Sequence, residues 1–109
     1  MIIEARHFNL EMSEFLHDHI LRRVERAVRR FRDRIGRITV RITDVNGPRG
    51  GIDKRCKITA ELIASAPLVV ESASDDAYDA VGLAASRLGH TAARTLGRRR
   101  RAPRAHAME

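Results

Sequence analysis

The feature that most constrains the fold is a change of hydrophobic period along the 109 residues, from helical to alternating and back to helical. Between 13 and 35, apolar residues recur at steps of three and four, which is typical of a helix with one buried face. Between 38 and 73, apolar and polar residues alternate in three successive segments, which indicates three strands with one exposed side each. The helical steps return after Ser74, and Ile2–Arg6 reads as a short first strand.

Turn and cap residues set the expected boundaries of these elements. Ser13 and Ser74 are candidate N-caps for the two helices, and Gly36 is expected to end the first. The glycine-rich run 46–51 and the stretch 65–67 are expected to turn the chain between strands. The helix positions expected to be buried are apolar or small: Leu16, Ile20, Val24, Ala27, Val28, Phe31, Ile35, Ala77, Val81, Ala84, Ala85, Leu88, Ala92 and Thr95.

The expected element order is therefore β-α-β-β-β-α. Because each strand offers one apolar side, we expect an α+β domain with one four-stranded sheet and two helices packed on one face. The length suits one such domain, placed at residues 1–98, followed by a basic tail at 99–109 that we expect to be disordered. The α-β-β-β-α part has the element order of double-stranded-RNA-binding domains, although a shared fold is weak support for a shared function.

The charge of the chain points to a polyanionic partner. Lysine and arginine number 21 against 14 acidic residues, a net charge of +7. Eight arginines lie between 22 and 37, where the only acids are Glu25 and Asp33. Neither basic helix carries the exposed large apolar face of a membrane-surface helix, so nucleic acid is favoured over anionic lipid.

Several classes of protein are disfavoured. No apolar run approaches the roughly 20 residues of a membrane helix, and the first residues lack the layout of a secretory signal, so we expect no membrane partner and a cytoplasmic protein. His17 and His19 lie on different faces of a helix, so no metal site is expected. Cys56 falls on the apolar side of its strand, and no residue arrangement predicts catalysis, a cofactor or a small-molecule substrate.

Basic residues are expected to form one stripe on each helix, because successive residues turn by about 100°. The stripe of the second helix consists of Arg87, His90, Arg94, Arg98 and Arg101. The stripe of the first helix consists of His19, Arg23, Arg26, Arg30 and Arg34. Two such stripes on adjacent helices can follow a phosphate backbone. Arg22 and Arg29 are expected to point away from the core.

A solvated helix surface is the alternative interpretation of these charges. Asp18 with Arg22 and Glu25 with Arg29 have the spacing of helical ion pairs, whereas the stripe residues lack such partners. The run 98–101 can complement the end of a helix, clamp a phosphate, or simply be a soluble end. No aromatic residue is expected in a central strand, which favours recognition of structured RNA by the helices over base stacking on the sheet.

The segment LVVESASDDAYDAVGLAASRL resembles the ribosome hibernation-promoting factor family, which includes ribosome-associated inhibitor A and the sigma-54 modulation proteins. The residues that match the start of the family's second helix are Asp76, Tyr78, Ala80 and Val81. The residues at its later basic positions are Arg87, His90, Arg94 and Arg98, and those that fit its first helix are Arg23, Arg26 and Arg30. The segment DVNGPRGGIDKRCKITAEL is similar to the middle hairpin of one subgroup.

The resemblance implies a short, non-enzymatic member of this family. Such a factor enters the tRNA and mRNA channel of the small ribosomal subunit, competes with both RNAs, and keeps idle ribosomes inactive and intact. We expect a monomer when free. The expected rRNA contacts are Arg23, Arg26, Arg30, Arg87, His90, Arg94, Arg98, Arg99 and Arg101, with secondary contacts at Arg22, Arg49, Lys54 and Arg55. The alternatives are a general structured-RNA-binding protein and a protein-interaction module that acts on the transcription machinery.

Overall fold

The alternating segments form a sheet and the helical segments pack against it in a computed structural model of the protein, which describes residues 1–45 and 53–97. The elements are β1 (Ile2–Phe8), α1 (Glu14–Val28), β2 (Ile35–Asp44), β3 (Lys54–Leu62), β4 (Leu68–Ser74) and α2 (Ala77–Ala92). A 3-10 helix, Arg29–Arg34, follows α1, and a π-helical turn, Ala93–Gly97, follows α2. The predicted α+β class and the β-α-β-β-β-α order are confirmed.

The sheet is mixed, with the spatial order β1-β2-β3-β4. β1 runs parallel to β2, and the other two pairs are antiparallel. A parallel pair needs a crossover connection, and α1 supplies it by returning the chain to the end of the sheet where β1 began. The turns expected between the three central strands fit the antiparallel pairing of β2 to β4, although the run 46–51 itself lies outside the described residues. The parallel pairing of β1 with β2 was not indicated by its short sequence.

Both helices cover the same side of the sheet, as predicted. The strand residues that alternate inward are buried, and their neighbours on the other side are not. These inward residues join the apolar faces of α1 and α2 in one core. Its fully enclosed large side chains include Ile20, Val24, Val28, Ile38, Val40, Ile42, Ile58, Val81 and Leu88.

The first helix begins as predicted and ends earlier than predicted. The Ser13 hydroxyl accepts a hydrogen bond from the Leu16 amide at 3.0 Å, which confirms Ser13 as the N-cap. The α-helix stops at Val28, and Gly36 lies inside β2, so the prediction that Gly36 ends the helix is wrong. The 3-10 helix has three residues per turn, so Phe31 still points inward three residues after Val28 and prolongs the apparent helical period.

The second helix begins and ends differently from the prediction. Its N-cap is Asp76, whose carboxylate accepts from the Asp79 amide, whereas Ser74 is the last residue of β4. Ser74 supports this start indirectly, because its hydroxyl donates to the Asp79 carboxylate at 2.8 Å. At the other end, the π-helical turn buries Leu96 and leaves Thr95 half-buried. A π-helical turn is closed by i to i+5 hydrogen bonds and is wider than an α-helical turn, so the buried position shifts from Thr95 to Leu96.

Two glycines on α2 let the helices approach each other closely. A β-carbon at Gly89 would lie 3.1 Å from the backbone oxygen of Ala27 on α1, and one at Gly82 would lie 3.4 Å from the Arg23 guanidinium. The two positions are seven residues apart and therefore share one face of α2. Gly89 thus serves tight helix packing, although a glycine inside a helix ordinarily lowers its stability.

Cys56 is fully buried in the middle of the core, as predicted. Burial disfavours the charged thiolate, so the pKa of Cys56 rises from 9.0 to about 12. The thiol is therefore protonated at neutral pH and packs as a small apolar group.

We expect Gly89→Val to lower the free energy of unfolding by about 1–3 kcal/mol, because the added side chain has to push the Ala27 backbone away. Gly97→Val is the matched control, since nothing lies within 4 Å of a β-carbon at that position. Urea unfolding followed by circular dichroism measures both. Equal stability of the two variants would show that the helices do not need this close approach.

We also expect stability to fall above pH 9 in a way that depends on Cys56. In the unfolded chain the thiol loses its proton near pH 9.0, whereas the folded protein holds it to about 12. The unfolded state is therefore favoured as the pH rises between these values, by at most about 1.4 kcal/mol per pH unit. Urea unfolding at several pH values should show a shallower decline for Cys56→Ala than for the wild type. Identical declines would contradict this assignment.

Candidate nucleic-acid interface

The basic stripe predicted for α1 faces α2, and its first half is held there by direct contacts. The His19 ring lies 5.0 Å from the Tyr78 ring, and its Nε2 lies 3.3 Å from the Tyr78 carbonyl oxygen. One turn later, the Arg23 guanidinium donates to the Gly82 carbonyl oxygen at 3.4 Å. Arg23 uses only part of its donor capacity in this bond, because a guanidinium carries five N–H groups.

The next two stripe residues, Arg26 and Arg30, line a groove between the two helices with a volume of about 530 Å3, whereas Arg34 is not among its lining residues. We call it the inter-helix groove. Its lining consists of Arg26, Ala27, Arg29, Arg30, Ser86, Gly89, His90 and Ala93. The Arg30 guanidinium lies 4.7 Å from the centre of the Phe31 ring, so a cation–π contact holds it. The structure thus brings together Arg26, Arg30 and His90, which were predicted from separate helices.

The cations of the groove are not neutralised by neighbouring acids. No aspartate or glutamate is among the groove's lining residues. In the parts of the chain that the structure describes, all four ion pairs lie in the sheet or at its end, and none involves an arginine of α1, the 3-10 helix or α2. The helical pairs Asp18–Arg22 and Glu25–Arg29, which the solvated-surface interpretation relied on, are not among them.

Arg29 is a groove residue that the sequence prediction placed elsewhere. A continuous α-helix would point Arg29 away from the core, as expected. The change from α-helix to 3-10 helix occurs at Arg29, and Arg29 is among the residues that line the groove. Nothing in the sequence around Val28 marks this change, since no proline, glycine or capping side chain stands there.

Arg87 lies outside the groove, on the side of α2 that borders β4. Its guanidinium donates to the backbone oxygen of Glu71, and both residues line a shallow cavity of about 380 Å3 together with Arg55. His90 and Arg87 therefore lie on two different sides of α2. Arg94 is exposed beyond them.

The predicted secondary contacts occupy different surroundings. Arg22 is exposed on α1, and Arg55 is exposed on β3. Lys54 is already engaged at the end of the sheet, 2.9 Å from the buried Asp53 carboxylate and 3.4 Å from that of Asp44. Its hydrogen bond to Asp53 raises the pKa of Lys54. The remaining predicted contacts lie outside the described residues: Arg49, Arg98, Arg99 and Arg101, as does the rest of the tail.

The described residues offer no group of three His, Cys, Asp or Glu side chains that could hold a metal ion. His17 is exposed and His19 turns to Tyr78, in line with their predicted separation. Within the same residues, neither helix is long and apolar enough to cross a membrane.

The fold is shared with solved structures of two bacterial proteins. A ribosomal subunit interface protein from Coxiella burnetii superposes with a TM-score of 0.75 at 20% identity, over 89% of this chain and 99% of its own. The N-terminal domain of Protein Y from Thermus thermophilus superposes with a TM-score of 0.69 at 23% identity, over 86% of this chain and 98% of its own. These similarities show that the chain has the same α+β fold as the two proteins.

The chain belongs to the sigma 54 modulation protein / S30EA ribosomal protein family, whose sequence model matches residues 1–100. The family resemblance inferred from the helix residues is thereby confirmed, and with it an association of this family with the ribosome. A comparison with curated protein sequences finds no match.

Proposed function

We propose that this protein is a hibernation factor that binds the rRNA of the small ribosomal subunit in the tRNA and mRNA channel. By occupying the channel it competes with both RNAs, and idle ribosomes stay inactive and intact. The protein acts in the cytoplasm, as a binding protein rather than an enzyme, and it is a monomer when free.

The observation that carries this proposal is the inter-helix groove. It gathers Arg26, Arg29, Arg30 and His90 around one opening, with no acid in the lining. Arginine binds phosphate oxygens through a planar fork of donors, and a row of such forks suits a backbone whose charges repeat. Contacts of this kind position a protein on RNA without reading the bases, which suits a factor that recognises the shape of one rRNA site.

Neighbouring residues support the groove in different ways. Arg23 is fixed to the Gly82 carbonyl at 3.4 Å and still has donors for an RNA phosphate beside the groove. Arg94 is exposed in the π-helical turn that follows α2, next to the groove residue Ala93, and supplies a further cation there. The family membership supports the choice of ribosomal RNA over other structured RNA.

We expect Arg26→Glu combined with Arg30→Glu to weaken binding to purified small subunits by about 100-fold or more, equivalent to about 3 kcal/mol, because attraction to phosphate becomes repulsion. Sucrose-gradient co-sedimentation and inhibition of cell-free translation measure the effect. Circular dichroism establishes that the variant is folded.

Arg32→Glu is the matched control for each single reversal, Arg26→Glu or Arg30→Glu, because it changes the same charge at an exposed position of the 3-10 helix that does not line the groove. Wild-type binding by the folded double variant would refute the role of the groove. Competition by tRNA and mRNA separates channel binding from general binding to structured RNA. A stable complex with transcription proteins that survives nuclease treatment would instead favour the interaction-module alternative.

We propose that the basic run 98–101 is an auxiliary clamp. Replacing its four arginines by glutamine should weaken subunit binding by about tenfold and leave thermal stability nearly unchanged, because exposed charges add little to folding. Deletion of residues 102–109 is the control and should change neither property. Equal binding by the two variants would remove the clamp from the proposal, and loss of folding in either would show that the domain extends past residue 98.

A further inference from the structure

The side of the sheet that faces away from the helices is exposed and basic. We call it the open face. Its charged residues are identified by register, because they alternate with the buried residues of each strand. The cations are Arg6, Arg37, Arg41, Arg55 and Lys57, and the acids are Glu4, Glu61 and Glu71.

Three of these cations stand side by side in one row. Arg6 on β1 is paired in register with Arg41 on β2, and Arg41 is paired with Lys57 on β3. Neighbouring strands are about 4.8 Å apart, and like charges directly opposite each other destabilise a sheet. The row therefore opposes folding in the free protein, and a bound anion would relieve the repulsion.

The acids of the open face leave most of this row unpaired. Glu4 contacts Arg37 at 2.6 Å and Arg6 at 3.3 Å, so it compensates one end. Arg41 and Lys57 form no ion pair within the described residues, although Glu71 on β4 is paired in register with Lys57. Arg41 thus has a cation on each side and no acid opposite it, and Lys57 has one acid beside it, so both keep donors that can bind an anion.

The basic surface continues around the edge of the sheet to α2. Arg55 lies on β3 two residues before Lys57, and it shares the shallow cavity at the β4 edge with Arg87. The hydrogen bond to the Glu71 carbonyl holds the Arg87 side chain at this edge. Five cations therefore form one path: Arg6, Arg41, Lys57, Arg55 and Arg87.

Two further features of the open face suit RNA. Thr39, Thr43 and Thr59 lie among the cations, and threonine hydroxyls commonly donate to phosphate oxygens. Phe8 is 63% exposed at one end of the face, opposite Thr43, and an exposed aromatic ring can stack on a base. The first strand was expected to end at Arg6, so its extension to Phe8 gives the sheet an aromatic residue that the sequence prediction left outside it.

We propose that the open face is a second RNA-binding surface, in which Arg6, Arg41 and Lys57 bind the phosphates of an RNA strand that passes on to Arg55 and Arg87. This surface is distinct from the inter-helix groove, which lies in the helical layer on the other side of the sheet. The choice of RNA as the polyanion rests on the proposed ribosomal function. With both surfaces occupied, the domain is held between two RNA segments.

The test uses the full chain and a fluorescent 12-nucleotide oligouridine, measured by anisotropy across a range of salt concentrations. The starting protein carries Arg26→Glu and Arg30→Glu, so that the remaining RNA binding reports on other surfaces. Adding Arg41→Gln and Lys57→Gln should lower this binding about tenfold or more and reduce the slope of log affinity against log salt by about 1.4, or about 0.7 for each phosphate contact. Adding Arg32→Gln is the control for each single substitution, Arg41→Gln or Lys57→Gln, and should change neither the affinity nor the slope.

A readout of stability separates binding from a structural role. Removing the two opposed cations should leave the melting temperature unchanged or raise it, and Arg41→Lys should preserve RNA binding because it keeps the charge. Unchanged oligouridine affinity after the two glutamine substitutions would overturn the proposal. The proposal would also be overturned if the two glutamine substitutions abolished binding to a polyglutamate peptide and left RNA binding intact. The open face would then be a protein-binding surface.

Small ribosomal subunits distinguish this inference from the proposed function. If the variant with Arg26→Glu and Arg30→Glu still binds small subunits, only the proposed role of the groove is contradicted. In an otherwise wild-type chain, Arg41→Gln with Lys57→Gln should weaken subunit binding about tenfold. Binding equal to wild type there would show that the open face does not contact rRNA and would overturn its assignment to the ribosome.

Discussion

The close contact between α1 and α2 determines the shape of the inter-helix groove. Gly89 allows the backbone of Ala27 to lie at a distance that a β-carbon would make crowded, 3.1 Å from where that carbon would be. At Gly82 the missing side chain leaves space for Arg23 to bond the carbonyl oxygen. Because both helices are also anchored to one sheet, these contacts fix the distance between the arginines of α1 and His90. The shape of the groove thus depends on the tight packing of the two helices next to it.

Most of the fold was predictable from local sequence patterns, because helix caps and strand alternation depend on residues that are close together in the sequence. Ser13 and the alternation of the central strands are of this kind. The end of α1 was not predictable in this way, because a 3-10 helix also repeats every three residues and keeps Phe31 inward. The start of α2 was missed by two residues, since Ser74 and Asp76 are both good caps and only the extent of β4 decides between them.

The residues of the candidate site were largely predictable from the sequence, whereas their positions relative to one another were less so. A helical wheel gives the angle of each side chain, but it does not say on which side the neighbouring helix lies. For this reason Arg87 and His90 were grouped on one stripe, whereas the structure places Arg87 at the β4 edge and His90 in the groove. The described acids make their ion pairs within the sheet, such as Glu4 with Arg37, and this leaves the helix arginines uncompensated.

The two walls of the inter-helix groove come from distant parts of the chain. His19 contacts Tyr78, and Arg23 contacts Gly82, in each case across 59 residues of sequence. During synthesis the first wall therefore leaves the ribosome long before the second, and α2 docks only after all four strands have been made. A nascent chain therefore has no groove until α2 has left the ribosome and packed beside α1. The order of the elements thus makes the groove form after the sheet.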